Sequence, residues 1–147
     1  MSTVFARGHA AVRALTLAGL FVGGLSIAFA ADWPVFKPGQ WQLERTMEGA
    51  GPTPQKVSST KCMDPAAERL KQREMLTKAG CEFSPLTQSG TTYRYSATCR
   101  MGGMTATSNS VLEAQGAEAY TITIDSVTDG VKSHEVLKAR RVGDCAK

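Results

Sequence analysis

A cysteine stands at each end of the only clear helix signal in this chain, and this arrangement constrains the fold more than any other feature. Asp64 and Pro65 form a strong helix start, with aspartate as the N-cap and proline in the first helical position. Gly80 is the matching stop. Because Cys62 and Cys81 lie just outside these limits, the helix is expected to be pinned to a sheet at both ends.

The apolar residues of this helical segment do not form one stripe. Those around Leu70 fall on one side of an ideal helix, whereas those around Leu76 fall roughly opposite. We therefore expect two short helices or a bend near residues 72–73, with a single straight helix as the alternative.

Residues 1–30 are typical of a secretory signal. Arg7 and Arg13 precede an apolar run over residues 14–27, and a small-x-small pattern ends at Ala30. The run is shorter than the ~20 residues of a membrane span. We expect cleavage before Ala31 and a soluble, periplasmic single domain over residues 31–147. Cleavage removes two positive charges, so the formal net charge falls from +4 to +2, too little to indicate a nucleic-acid partner.

All four cysteines lie in this exported part, and an even number in an oxidising compartment indicates two disulfides. Their spacings of 18, 17 and 45 intervening residues are unlike a zinc site, and a Cys-x-x-Cys redox pair is absent. Residues 81–86 and 91–100 predict a hairpin that places Cys81 opposite Cys99. We prefer this bridge together with Cys62–Cys145; the alternative is Cys62–Cys81, which would clip the helix ends.

Most of the chain alternates with the period of two that is typical of β-strands. Further strands are predicted at residues 40–48, 55–62, 104–112, 119–127 and 131–141. The turn around Asp129 places Ile122 opposite Leu137. Arg45 and Glu135 fall on otherwise apolar faces, where they can pair with each other or line a polar cavity. We predict a mainly β fold: a curved antiparallel sheet or half-open barrel of six to eight strands, with one short helical insertion and two disulfides.

Several short motifs together resemble a family of small exported bacterial proteins that is catalogued only as a domain of unknown function. These motifs are the Lys-Pro-Gly-Gln-Trp segment ending at Trp41, the Cys-Met-Asp-Pro step beginning at Cys62, Cys81, Cys99 on an aromatic strand, and the closing Gly-Asp-Cys at Cys145. The likeness extends over the mature chain. It implies export, a single domain and this cysteine framework, but no catalytic residue. Members often carry methionines in the loop after the first strand, and residues 49–54 have none.

No catalytic motif is present, and we predict neither an enzyme nor a cofactor. His134 is the only histidine of residues 31–147, and it lies between Ser133 and Glu135 on a predicted strand. Neighbours on a strand point to opposite faces, so these three residues cannot form a catalytic triad. Met101 and Met104 flank Gly-Gly and could hold Cu(I), although they could equally cap the end of a sheet.

Two functional classes remain. The first is a non-catalytic binding module, a cup that holds a small apolar or amphipathic ligand; otherwise its aromatic residues simply form the core. The residues assigned to it are Trp41, Phe83, Tyr93, Tyr95, Tyr120 and Ile122, with Arg45 on the same side. The second is an envelope-accessory protein that docks a partner through its Ser/Thr-rich strands. In either case we expect a monomer.

Overall fold

The computed structural model describes residues 31–49 and 51–146, so the predicted signal segment lies outside the described residues. They form one helix and eight strands. The elements are β1 (Gly39–Glu48), β2 (Gln55–Met63), α1 (Pro65–Lys78), β3 (Cys81–Phe83), β4 (Thr87–Ser89), β5 (Thr92–Met101), β6 (Met104–Ala114), β7 (Ala119–Thr128) and β8 (Val131–Gly143). No helix in this described part is long and apolar enough to cross a membrane.

All eight strands belong to one antiparallel sheet, which confirms the predicted fold class. Their order is β2-β1-β8-β7-β6-β5-β3, and β4 pairs with β5 beside β3. The sheet is open, because β2 and β3 form opposite edges and do not pair with each other. The polar strand β2 lies at an edge, and eight of its nine residues are exposed, which suits its polar composition.

The predicted hairpin registers are confirmed. Cys81 pairs with Cys99, and Ile122 pairs with Leu137. The strand predicted at residues 81–86 is interrupted, however, because the register against β5 shifts by one residue between β3 and β4. Pro85 cannot donate to the ladder, which explains the break, and the shift allows Leu86 to enter the core.

The preferred disulfide pairing is also confirmed. Cys62, near the end of β2, is bonded to Cys145, which follows β8. Cys81, the first residue of β3, is bonded to Cys99 on β5. One bond therefore lies just before α1 and the other just after it, so both ends of the helix are covalently tied to the sheet.

The expectation of two short helices was wrong, because α1 is one continuous helix. Its start is well capped: Asp64 Oδ1 accepts hydrogen bonds from the backbone N–H groups of Ala66 and Ala67 at 3.0 and 3.2 Å. Residues 72–73 are glutamine and arginine, both good helix formers, so nothing breaks the helix there. The missing apolar stripe has another consequence, since Pro65 is the only buried residue of α1.

The core lies on the helix-facing side of the sheet. Trp41 and Leu112 are fully buried, and Phe36 from the segment before β1 packs against Trp41 and Tyr120. The Trp41 indole Nε1 donates to the Lys37 carbonyl oxygen at 3.1 Å, so its one polar group is satisfied. This cluster seals one part of the sheet and leaves the region beneath the middle of α1 less densely filled.

Candidate ligand-binding cavity beneath the helix

Helix α1 crosses the sheet because it connects β2 and β3, which form opposite edges. A cavity of about 250 Å³ lies between the helix and the sheet. Its helix side is formed by Arg69, Gln72, Arg73 and Leu76. We call this space the helix cavity.

The sheet side of the helix cavity contains a patch of apolar side chains, beside two serines of β6 and the charged side chains of Arg45 and Glu135. Four side chains of β5, β7 and β8 form this patch on the helix-facing side of the sheet: Tyr95, Ile122, Ile124 and Leu137. The Tyr95 ring packs edge-on against Trp33, with ring centroids 5.3 Å apart. The cavity therefore has an apolar and aromatic floor below a polar helix wall.

Two arginines of α1 extend this polar wall over aromatic rings. The Arg69 guanidinium carbon lies 5.3 Å from the Trp33 ring centroid and 5.7 Å from that of Tyr120. The Arg73 guanidinium carbon lies 4.5 Å from the Phe83 centroid, within the range of a cation–π interaction. Burial raises the pKa of Tyr120, and the charge of Arg69 acts in the opposite direction.

Neither of these two arginines has an acidic partner. Within residues 31–49 and 51–146, no carboxylate oxygen lies within 4.0 Å of Arg69 or Arg73. Arg73 Nη2 donates to the Ser84 carbonyl oxygen at 3.4 Å. By contrast, Arg45 Nε lies 3.1 Å from Glu135 Oε1, as its sequence position suggested, and this pair lines the cavity. The two helix arginines therefore leave an excess of positive charge.

A second space, of about 480 Å³, lies on the β1 and β2 side of the helix. It shares Arg45, Arg69, Gln72 and Leu137 with the helix cavity, so the region beneath α1 is accessible from both sides. Glu68 also lines it, but its carboxylate is 2.9 Å from Lys61 Nζ, and this ammonium lowers the pKa of Glu68. This acidic group is thus held in an ion pair with β2.

The structure distributes the aromatic residues assigned to a cup between core and cavity. Trp41, Tyr93 and Tyr120 are buried in the core cluster, whereas Tyr95 and Arg45 line the helix cavity. Arg69 and Arg73 were not among the predicted site residues. Their separation of four residues, in a helix without an apolar stripe, was the signal that could have identified them.

The two methionines flanking Gly-Gly lie at the tip of the β5–β6 hairpin. Met101 pairs directly with Met104, and Gly102 and Gly103 adopt φ angles of +58° and +84°, which favour glycine in a two-residue turn. Met104 is about half exposed and Met101 somewhat less. Copper binding at this tip stays a prediction; the described residues contain no cluster of three or more His, Cys, Asp or Glu suited to a metal.

His134 lies on the opposite face of the sheet from the helix cavity. Its Nδ1 is 2.7 Å from Asp125 Oδ1, and both side chains are exposed. The hydrogen bond to Asp125 raises the pKa of His134 above its ordinary value of 6.5, and the charge of Glu48 acts in the same direction.

We expect Asp125→Asn to return the pKa of His134 toward its ordinary value, as measured by an NMR pH titration of the imidazole protons. Because folding raises the pKa of His134, its protonated imidazole stabilises the folded protein at pH values below the unfolded-state pKa. This stabilisation is lost as the pH rises through the folded-state pKa of His134. Glu135→Gln is the matched control, since Glu135 adjoins His134 but faces the other side of the sheet. An unchanged titration in the Asp125 variant would contradict this prediction.

The fold and the cavity define a small, disulfide-bonded β protein in which one helix covers part of an open sheet. The family model described as "Protein of unknown function (DUF3617)" matches residues 36–145, and the chain belongs to this family. No curated protein and no solved structure shows a significant match.

Proposed function

We propose that this protein is a non-catalytic binding module that holds a small amphipathic ligand in the helix cavity. The observation that carries this proposal is the composition of the space beneath α1: an apolar, aromatic floor faces a helix wall of arginine and glutamine. Binding sites for small molecules typically combine an apolar lining with a few polar groups that set orientation. Helix α1 buries little apolar surface of its own, which leaves the floor available to a ligand.

The proposal includes export to the periplasm. Two features support it: the signal-like pattern of residues 1–30, and two disulfides in a chain whose described part has no free cysteine. Disulfides persist in oxidising compartments. The protein would therefore bind its ligand in the periplasm.

Native mass spectrometry of the protein purified from a periplasmic extract without reductant tests this function. We expect a mass that corresponds to cleavage before Ala31 and two disulfides, with an additional mass that disappears on denaturation. A bare protein that also binds none of the single-chain amphiphiles described below would refute the binding role.

A cavity-filling variant makes this test specific to the helix cavity. Ser108 lines it from β6, so Ser108→Phe is expected to abolish the additional mass by occupying the space. The control is Asn109→Phe, because Asn109 is the next residue of the same strand and faces the other side of the sheet. If Ser108→Phe retains the ligand while remaining folded by circular dichroism, the ligand lies elsewhere.

A second candidate function is the docking of an envelope protein along β2. Among the described residues this strand pairs only with β1, so it forms an open edge, and it is rich in exposed serine, threonine and lysine. An extended peptide can add to such an edge through main-chain hydrogen bonds. Val57→Pro would block this addition and is expected to abolish co-purification of an envelope protein, if docking is the function.

A further inference from the structure

We propose that the ligand of the helix cavity is a single-chain amphiphile with an anionic headgroup, and that Arg69 and Arg73 bind this headgroup. The inference rests on the proposed binding function and adds the chemical class of the ligand. The shared chemistry is that of a carboxylate or phosphate attached to an alkyl chain of medium length.

The position of the two arginines supports a common anion site. Residues four apart lie on the same side of a helix, and both Arg69 and Arg73 line the helix cavity. Each guanidinium is already placed by an aromatic ring, at 5.3 Å from Trp33 and 4.5 Å from Phe83. Contact with a ring uses the face of a guanidinium and leaves most of its five N–H donors available.

The charge balance around the cavity favours an anion over a neutral or cationic ligand. Arg45 is neutralised by Glu135, and Glu68 is paired with Lys61. Among the described residues, no carboxylate neutralises Arg69 or Arg73, so both charges are available to a ligand in the cavity. A cationic headgroup would be repelled here, and a neutral one would leave both charges uncompensated in a half-enclosed site.

The apolar floor of the helix cavity would bind the alkyl chain of the ligand. Tyr95, Ile122 and Ile124 line the same cavity as the two arginines, so a headgroup held by the helix can place its chain over these side chains. The volume of about 250 Å³ lies just below the ~300–1,000 Å³ of common small-molecule pockets, which suits one alkyl chain of medium length.

Isothermal titration calorimetry with matched ten-carbon probes tests this inference. The probes are decanoate, decyl phosphate, decanol and decyltrimethylammonium, each below its micelle-forming concentration. We expect binding of decanoate, decyl phosphate or both, and weaker binding of decanol and of the cation. The preferred anion distinguishes a carboxylate from a phosphate ligand.

The double variant that combines Arg69→Gln and Arg73→Gln is expected to bind the anionic probe at least about tenfold more weakly, because hydrogen bonds between charged groups are lost. Binding of decanol should change little. Lys78→Gln is the control, since it removes one positive charge from the same helix but lies outside the cavity. Circular dichroism confirms that each variant is folded.

The outcomes separate the two levels of the proposal. Binding of decanol as tight as that of the preferred anionic probe, or unchanged binding of that probe by the double variant, would overturn the headgroup inference but leave the binding module intact. Binding of none of the four probes would overturn the headgroup inference, and together with a bare protein in the native mass spectrum it would overturn the binding module as well. Sedimentation with vesicles that contain anionic phospholipid is a further arm, and binding to these vesicles without binding to the monomeric probes would indicate recognition of a membrane surface instead, which also overturns the inference.

Discussion

Replacing Cys62 and Cys145 together by alanine is expected to lower the free energy of unfolding by about 4.5 kcal/mol, as measured by urea denaturation without reductant. The bond joins residues 83 apart in sequence, and its loss releases the conformational entropy of a long loop in the unfolded chain. A loss of this size is a large part of the ~5–15 kcal/mol net stability of a typical domain.

The control for this disulfide variant is Thr60→Ala, an exposed substitution two residues away on β2 that leaves the bond intact. A double variant whose unfolding free energy is within about 1 kcal/mol of the wild-type value would contradict the entropic argument. Hydrogen exchange provides a local readout. Because Cys62 lies three residues before α1, amides in the first turn of the helix should exchange faster in the variant.

Trp41→Ala is expected to destabilise the protein by about 3–5 kcal/mol, the range for removing a large aromatic side chain from a core. Trp41 is fully buried, its ring lies 5.6 Å from that of Tyr120 and 6.0 Å from that of Phe36, and its indole satisfies the Lys37 carbonyl. Alanine would leave a cavity at this junction and one unpaired carbonyl. Thermal and urea denaturation measure the loss.

Two further variants keep the Trp41 prediction testable if the alanine variant does not fold. Trp41→Phe retains most of the ring volume and is expected to lose less stability than alanine. Glu44→Ala changes an exposed residue that faces the other side of β1 and should stay close to wild type. Equal stability of the Trp41→Ala and Glu44→Ala variants would show that Trp41 does not anchor the core.

The two disulfides also hold helix α1 in place over the proposed binding cavity. Helix α1 has little apolar surface to hold it on the sheet, so its position depends on the capped start at Asp64, the Lys61–Glu68 ion pair and the covalent ties at Cys62 and Cys81. A helix held in this way can stay above an incompletely filled space. An amphipathic helix would instead have packed its apolar stripe into that space.

Local patterns in the sequence predicted most of the fold. Alternation with a period of two located the long strands, and the Asp-Gly turn set the register of Ile122 against Leu137. Each depends on neighbours along the chain or on one short turn. The same reasoning did not detect the break at Pro85, because a one-residue shift in pairing depends on how Leu86 fits the core.

For helix α1, local sequence patterns predicted the limits but not the side chains that face the sheet. Its limits followed from the cap and from Gly80, but the prediction of two short helices assumed that apolar side chains must face the sheet. The structure places Arg69 and Arg73 there instead, over Trp33 and Phe83. Partners so distant in the sequence cannot be identified from the period of a helix.

The sequence by itself determined the strand alternation and the mainly β class and favoured one of the possible cysteine pairings, because these depend on spacing and on short turns. Only the tertiary structure decided which aromatic residues are core and which line a cavity. Trp41 and Tyr95 both lie on the inner side of their strands, yet one is sealed by Phe36 and the other lies beneath an arginine-bearing helix. That difference arises from which element covers each part of the sheet, a property of the whole fold rather than of any strand.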